Sequence, residues 1–246
     1  MFNFLKRAPT SSEVPLRQFT SIYQDIHSHI LPGLDDGSPD LETSLQLIKG
    51  LRSFGFRKLK GTPHIIGDLY RNSPEKIFPA LEKIQKACKE NEIDVEISAA
   101  AEYMLDDYFM SLLRNNEKLL PIHKNIILTE LPYSSQPKNV EEMSFEILTA
   151  GYQPILAHPE RYSYYQQNFE EYYRLKELGF ILQINLLSVT GYYGKPVTKA
   201  VNFIIDKGLV DLVGTDLHHS RHLAALSQNI SHIEKRIGNK PYNVFQ

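Results

Sequence analysis

Nine side chains able to ligate a metal ion stand at or just beyond the ends of successive short apolar runs. They are His27, His29 and Asp36, then His64, Glu102, Glu130, His158, Asp216 and His218. A mixture of imidazole and carboxylate donors suits divalent transition ions. Spread from position 27 to position 218, these donors meet only if the runs are strands of one parallel α/β assembly, whose active sites form from the loops at the C-terminal strand ends. The implied object is a multinuclear metal site, and the chemistry it suits best is hydrolysis of a phosphate ester.

Local spacing supports the reading. His27 and His29 are two residues apart, so on extended chain they point the same way and can grip one cation. The turn Leu31-Pro32-Gly33-Leu34-Asp35-Asp36-Gly37 follows and folds a carboxylate back over them. Asp36 is the ligand candidate there; Asp35 instead caps the next helix or bonds within the turn. His64 is the first side chain past Thr62-Pro63. Glu102 closes Ala99-Ala100-Ala101, where a carboxylate ending an apolar strand is costly unless paired, so it bridges two cations or forms a buried ion pair. Glu130 precedes Leu131-Pro132-Tyr133, and His158 opens His158-Pro159-Glu160-Arg161-Tyr162. Asp216 and His218 repeat the two-residue spacing. The sixth run ends near Asn185, which has no charge and is read as a hydrogen-bonding group for substrate or water. His219, His222 and Glu160 read as rim or supporting groups, His123 and His232 as surface residues.

The runs that must position these groups are Ile22–His27, 58–62, Val95–Ala101, Ile126–Glu130, 154–158, Phe180–Leu186 and 209–216. Helical segments intervene at about 41–54, 74–91, 107–115, 140–150, 169–178, 197–207 and 223–237. Gly55, Gly151, Gly179, Gly208 and Gly238 follow helices, as the left-handed position after a helix favours. Ser73-Pro74 is a helix start. Seven strand–helix units predict a closed or nearly closed parallel barrel, with an open doubly wound sheet as the alternative. Residues 1–20 read as a flexible tail, and 21–246 as one barrel domain.

Composition narrows the function classes. The chain has 246 residues, 42% hydrophobic and 23% charged, with a net charge of -2. That balance, with no global basic excess, argues against a dedicated nucleic-acid binder. No stretch reaches the ~20 apolar residues of a membrane span, so no stable membrane insertion is expected. The N-terminus lacks the apolar core of a signal peptide. The single cysteine, Cys88, permits no intrachain disulfide and fits a reducing, cytoplasmic setting. Cys88 is followed six residues on by Asp94, not Arg, so it does not fit a cysteine-based phosphatase.

In order along the chain, DIHSHILPGLDDG, TPH, AAEY, LTELPY, AHPERY and GTDLHH resemble the PHP (polymerase and histidinol phosphatase) metal-hydrolase superfamily. The match is closest to its capsule and exopolysaccharide branch of bacterial protein-tyrosine phosphatases, and runs from about Tyr23 to the C-terminus. The resemblance implies a distorted (β/α)7 barrel, single-domain and TIM-like, with three divalent metal ions, manganese first and iron or zinc as alternatives. It implies that His27, His29, Glu102 and Asp216 hold the first metal. Glu102 bridges to the second with Glu130 and His158, and Asp36, His64 and His218 hold the third. Arg161 becomes the phosphate-binding arginine. Other branches carry His where Asp36 and Glu130 stand, so the carboxylates favour the tyrosine-phosphatase branch. A basic residue directly after the TPH motif is missing here, which leaves Arg71 as the substitute substrate contact.

The resulting expectation is hydrolysis of phosphotyrosine by a metal-bridging hydroxide, on the tyrosine-rich tail of a bacterial tyrosine kinase. Asp216, His218 or a metal-bound water is the candidate proton donor. The alternatives are a small-molecule phosphatase of the histidinol-phosphate type and a non-enzymatic barrel that keeps its metal site.

Overall fold

Every apolar run becomes a parallel strand, and the strands join edge to edge into one ring. The computed structural model describes residues 18–238 and 240–245. In chain order the elements are β1 (Gln24–Ser28), α1 (Leu41–Ser53), β2 (Lys58–Gly61), β3 (His64–Ile65), α2 (Pro74–Glu90), β4 (Glu96–Ala99), β5 (Glu102–Met104) and α3 (Asp107–Arg114). There follow β6 (Ile126–Glu130), α4 (Val140–Thr149), β7 (Gln153–Ala157), α5 (Glu171–Glu177), β8 (Ile181–Asn185), α6 (Lys195–Asp206), β9 (Leu212–Gly214) and α7 (Ser220–Ile237). Short 3-10 turns occupy Pro159–Arg161 and Leu186–Thr190.

Two of the expected strands are followed, just past their expected ends, by a further short strand. Proline has no N–H to donate to a ladder, and after the second run the chain breaks at Thr62-Pro63 between β2 and β3. After the third it breaks at Ala100-Ala101 between β4 and β5. Strands β1-β2-β4 therefore form one sheet, and β3-β5-β6-β7-β8-β9 form the other. Backbone bonds from Ala100 N–H to Gly61 O (2.9 Å) and Glu102 N–H to Pro63 O (3.1 Å) carry the pairing across the breaks. Asp216 N–H donates to His27 O (2.8 Å) and His29 N–H to Leu217 O (2.9 Å), so the last strand returns to the first. The ring closes, which removes the open-sheet alternative.

Ile26, Ala100, Leu128, Ile155, Ala157 and Leu212 make a compact apolar cluster donated by the strands, while the larger core lies between strands and helices. Helices start where sequence chemistry directs. Asp40 and Asp106 accept from Thr43 N–H and Phe109 N–H at 2.8 Å, each satisfying an otherwise orphaned first-turn donor. Helix α7 begins three residues earlier than expected, because His219 caps it by accepting from His222 N–H. The expected tail lies outside the described residues up to position 17. Phe19 is buried, packs on Phe56 at 5.5 Å between ring centroids and donates its N–H to Phe54 O. Among the described residues no helix is long and apolar enough to cross a membrane.

Candidate metal centre and active site

Strand alternation places His27 at the end of β1 and His29 just beyond it, both facing the mouth of the ring. Their Nε2 atoms lie 3.3 Å apart. Glu102, from the first position of β5, reaches between them with Oε2 at 3.2 Å from His27 Nε2 and 3.3 Å from His29 Nε2. Asp216 Oδ1 faces the same two nitrogens at 3.4 and 3.5 Å. Glu102 is the hub, because its Oε1 also lies 3.2 Å from His158 Nε2 and its Oε2 lies 3.1 Å from His64 Nδ1. Glu130 Oε1 completes this side, 2.9 Å from His64 Nδ1. The His218 ring stacks on His29 with centroids 3.9 Å apart.

Eight of the nine expected ligands thus fall into overlapping groups of three donors within 4.8 Å of one another: His29, His64 and His218; His27, His29 and Asp216; His27, Glu102 and His158; His64, Glu102 and Glu130. Asp36 stands outside these groups. Its Oδ1 is 3.6 Å from His64 Nε2 and 3.8 Å from His218 Nε2, and its side chain is 58% exposed. Its neighbour Asp35 turns inward instead. Asp35 Oδ2 accepts from His29 Nδ1 at 2.7 Å and from His64 N–H at 3.0 Å, so it orients two candidate ligands at once. Gly37 lets this loop press on β1: a Cβ there would lie 2.4 Å from His29 Cβ.

The donor set fits a divalent cation. His64 Nδ1, Glu102 Oε2 and Glu130 Oε1 are buried, face one another and have no hydrogen-bond partner. Lone pairs aimed at each other in a buried site are costly unless a cation lies between them. Burial works against a charged His29, yet the Asp35 carboxylate raises its pKa to about 10. Burial disfavours an ionised Glu102, but His27 and His64 hold it well below the usual carboxylate range. Burial also opposes ionised Asp216, and His27, His218 and Arg161 overcome it. His218 goes the other way, pushed down to about 4 by burial and by His29. Metal ligation needs deprotonated ligands, so metal binding would displace any protons these groups hold.

Two of these residues occupy strained backbone. His158 has φ 36 and Asp216 has φ 50, in the left-handed region uncommon for residues other than glycine. Both stand just past a strand end, where the turn aims the side chain back over the ring. Asp216 is held there by Asp25, buried below it, which accepts from Thr215 N–H at 3.0 Å and Thr215 Oγ1 at 2.5 Å.

A cavity of about 300 Å³ opens over the cluster. Arg161 lines it, donating from NH1 to Asp216 Oδ2 at 2.6 Å. Its guanidinium lies 4.5 Å from the Tyr193 ring centroid and 5.3 Å from that of Tyr133. The Tyr133 hydroxyl is 3.2 Å from His158 Nδ1. His219 and His222 line the cavity, consistent with a rim position. Arg71 does not line it. Its Nε donates to Gly67 O and its guanidinium lies over Tyr108 at 5.2 Å, so the loop after His64 uses this arginine to brace itself. Asn185 contacts Asp216 rather than open solvent, with Nδ2 donating to Oδ2 at 2.7 Å. Cys88 is buried on α2, and burial pushes its thiol pKa up, the opposite of an activated nucleophile. Tyr103, Tyr162 and Tyr165 are buried core residues.

Sequence reasoning did not single out Gln183, whose Oε1 lies 2.7 Å from His27 Nδ1. Its only available signal was its place two residues before Asn185 on a strand.

The tyrosine-protein phosphatase YwqE of Bacillus subtilis is 28% identical over 220 residues, covering 89% of this chain and 87% of that protein. The tyrosine-protein phosphatase CpsB of Streptococcus pneumoniae is 28% identical over 204 residues, covering 79% and 82%. Among solved structures, that described as YwqE from Bacillus subtilis and CpsB from Streptococcus pneumoniae, unique metal-dependent tyrosine phosphatases, superposes with a TM-score of 0.75 at 24% identity, covering 91% of this chain and 99% of the other. The histidinol phosphate phosphatase of Lactococcus lactis, solved with zinc, histidinol and phosphate, shares the fold more distantly, with a TM-score of 0.51 at 15% identity and coverage of 87% and 93%. The family model for capsular polysaccharide synthesis, CpsB/CapC, matches residues 23–245, and the chain belongs to that family.

Proposed function

We propose that this chain is a metal-dependent protein-tyrosine phosphatase of capsule or exopolysaccharide synthesis. The observation that carries the reading is the hub at Glu102, within 3.3 Å of His27, His29, His64 and His158, beneath a cavity lined by Arg161. The curated relatives, named as tyrosine-protein phosphatases, support the substrate class. The substrate is the tyrosine-rich tail of a capsule tyrosine kinase, and the setting is the cytoplasm. Three divalent cations, manganese before iron or zinc, would be held by His27, His29, Glu102 and Asp216, by Glu102, Glu130 and His158, and by Asp36, His64 and His218. When bound, such ions lower the pKa of water toward neutrality and offset the charge of the phosphoryl group.

The chain's own residues do the rest. Arg161 presents the N–H groups not used on Asp216 to the phosphoryl oxygens, and its planar fork matches them. The Tyr193 and Tyr133 rings lie beside the guanidinium, with centroids 4.5 and 5.3 Å from it, and help hold the clamp in place. Tyr133, 41% exposed, offers the substrate phenyl ring a surface at the cavity edge. Asp216 cannot double as proton donor, since Oδ2 is committed to Asn185 and Arg161 and Oδ1 to the histidines. His218 donates Nδ1–H to Asp216 O at 2.9 Å, leaving Nε2 for a metal. With a leaving-group pKa of about 10, phenolate departs without a strong acid.

The test compares a phosphotyrosine peptide with histidinol phosphate on the manganese-loaded protein. A higher kcat/KM for the peptide is expected. Preference for histidinol phosphate would move the assignment to small-molecule phosphatases, and fully metallated protein without phosphoesterase activity would leave a binding barrel.

A further inference from the structure

The sixth apolar run, which forms β8, is the one of the seven with no candidate ligand at or just beyond its end, yet it contributes two buried amides to the site. Gln183 and Asn185 are two residues apart, share one face and are completely buried. Gln183 Oε1 lies 2.7 Å from His27 Nδ1. Gln183 Nε2 donates to Asn185 Oδ1 at 3.0 Å, and Asn185 Nδ2 donates to Asp216 Oδ2 at 2.7 Å.

The direction of this chain has no freedom. Ionised Asp216 only accepts, and Arg161 already donates to the same oxygen. Asn185 must therefore turn its NH₂ toward Asp216, which leaves its oxygen facing Gln183. Gln183 must turn its NH₂ toward that oxygen, which leaves its own oxygen facing His27. His27 must then carry its proton on Nδ1 and keep the Nε2 lone pair for Glu102's side of the site. At the far end, Oδ2 of Asp216 is fully used and Oδ1 is the oxygen left facing His27, His29 and His218.

We propose that Gln183 and Asn185 are positioning residues, a directional amide relay that sets the tautomer of His27 and aims one oxygen of Asp216 at the metal centre. The inference rests on reading the cluster as a metal site. The backbone of β8 is pinned on both sides of the relay. His158 N–H donates to Gln183 O at 2.7 Å, and Asn185 N–H donates to Glu160 Oε1 at 2.9 Å. Space is kept for the amides too, since a Cβ on Gly214 would lie 3.0 Å from Gln183 Nε2 and 2.8 Å from His27 Cβ. A relay buried only to fill the core would stabilise the fold and leave the metal indifferent.

The experiment measures zinc affinity by competition with a chromophoric chelator, together with long-range ¹H–¹⁵N spectra of the histidines in the zinc-loaded protein. In the wild type, His27 shows a protonated Nδ1 and a ligated Nε2. Gln183→Met, similar in length but without an acceptor, weakens zinc binding by about 10–100-fold, as loss of an outer partner does elsewhere, and loses the Nδ1–H signal. Gln183→Glu keeps an acceptor for His27 and recovers that signal. Asn185→Ala leaves Gln183 in place but frees its amide to rotate, so His27 shows mixed tautomers. It also serves if Gln183→Met fails to fold. Zinc affinity and His27 spectra equal to wild type in Gln183→Met, or in Asn185→Ala if that is the variant that folds, would overturn the proposal, even with a lowered Tm. A wild-type protein that takes up no zinc would instead overturn the metal-site reading beneath it.

Discussion

Replacing Arg161 by alanine separates clamping of the phosphoryl group from holding of the metals. Among the proposed metal ligands the guanidinium touches Asp216 alone, NH1 to Oδ2 at 2.6 Å. Its loss leaves Asn185 Nδ2 on that oxygen at 2.7 Å, and leaves Oδ1 in place 3.4 Å from His27 Nε2. Metal content is therefore retained. What disappears is a cationic donor aimed at charge that grows in the transition state. Loss of one such donor costs about 10²–10³ in rate, or about 2.7–4 kcal/mol. Arg161→Lys keeps the charge but loses the fork and the planar group that lies beside Tyr133 and Tyr193, so it recovers only part. The assay is phosphate release from a phosphotyrosine peptide at saturating manganese, with elemental analysis of each variant. Wild-type kinetics in Arg161→Ala, or loss of metals together with activity, would refute the reasoning and leave Arg161 as a structural partner of Asp216.

Asp35 and Asp36 should separate despite adjacency. Asp35→Ala removes the acceptor for His29 and for His64 N–H, lowering both metal affinity and Tm, whereas exposed Asp36→Ala keeps stability within about 0.5 kcal/mol of wild type while weakening metal binding; a chelator titration with calorimetry distinguishes them. Gly214→Ala pushes a methyl against His27 Cβ at 2.8 Å and Gln183 Nε2 at 3.0 Å, and is expected to lower metal content in elemental analysis; unchanged content would show that the strand yields. Cys88→Ser buries a hydroxyl in the core, costing about 1–3 kcal/mol where unpaired, yet kcat stays near wild type; a trapped phosphocysteine would contradict the mechanism.

Much of this was legible in the sequence because ligands at strand ends leave a periodic mark. Ile126–Glu130 is read and observed with the same bounds, and the glycines after α1, α4, α5, α6 and α7 all have positive φ. The interrupted strands were not legible: Pro63 hints at a break, but the break at Ala100-Ala101 depends on what pairs across the ring. The choice between Asp35 and Asp36 for contact with His29 also needed the fold, since both carboxylates stand in one turn and only the approach of Gly37 to β1 decides which turns inward. Arg71 was read toward the substrate from its place after the TPH motif, but spacing alone does not reveal that Tyr108 and Gly67 claim it. Gln183 escaped notice because an amide inside an apolar strand carries no signature until its partner is known.

The central claim is that the histidine–carboxylate cluster is a working metal centre. It is tested most directly by stripping the protein with a chelator, then adding manganese in steps while counting bound metal and measuring phosphotyrosine-peptide hydrolysis on the same samples. Activity is expected to be absent at zero metal and to rise with occupancy, and His27→Ala and Glu102→Ala are expected to stay inactive at every step. Full turnover by demonstrably metal-free protein would contradict the account.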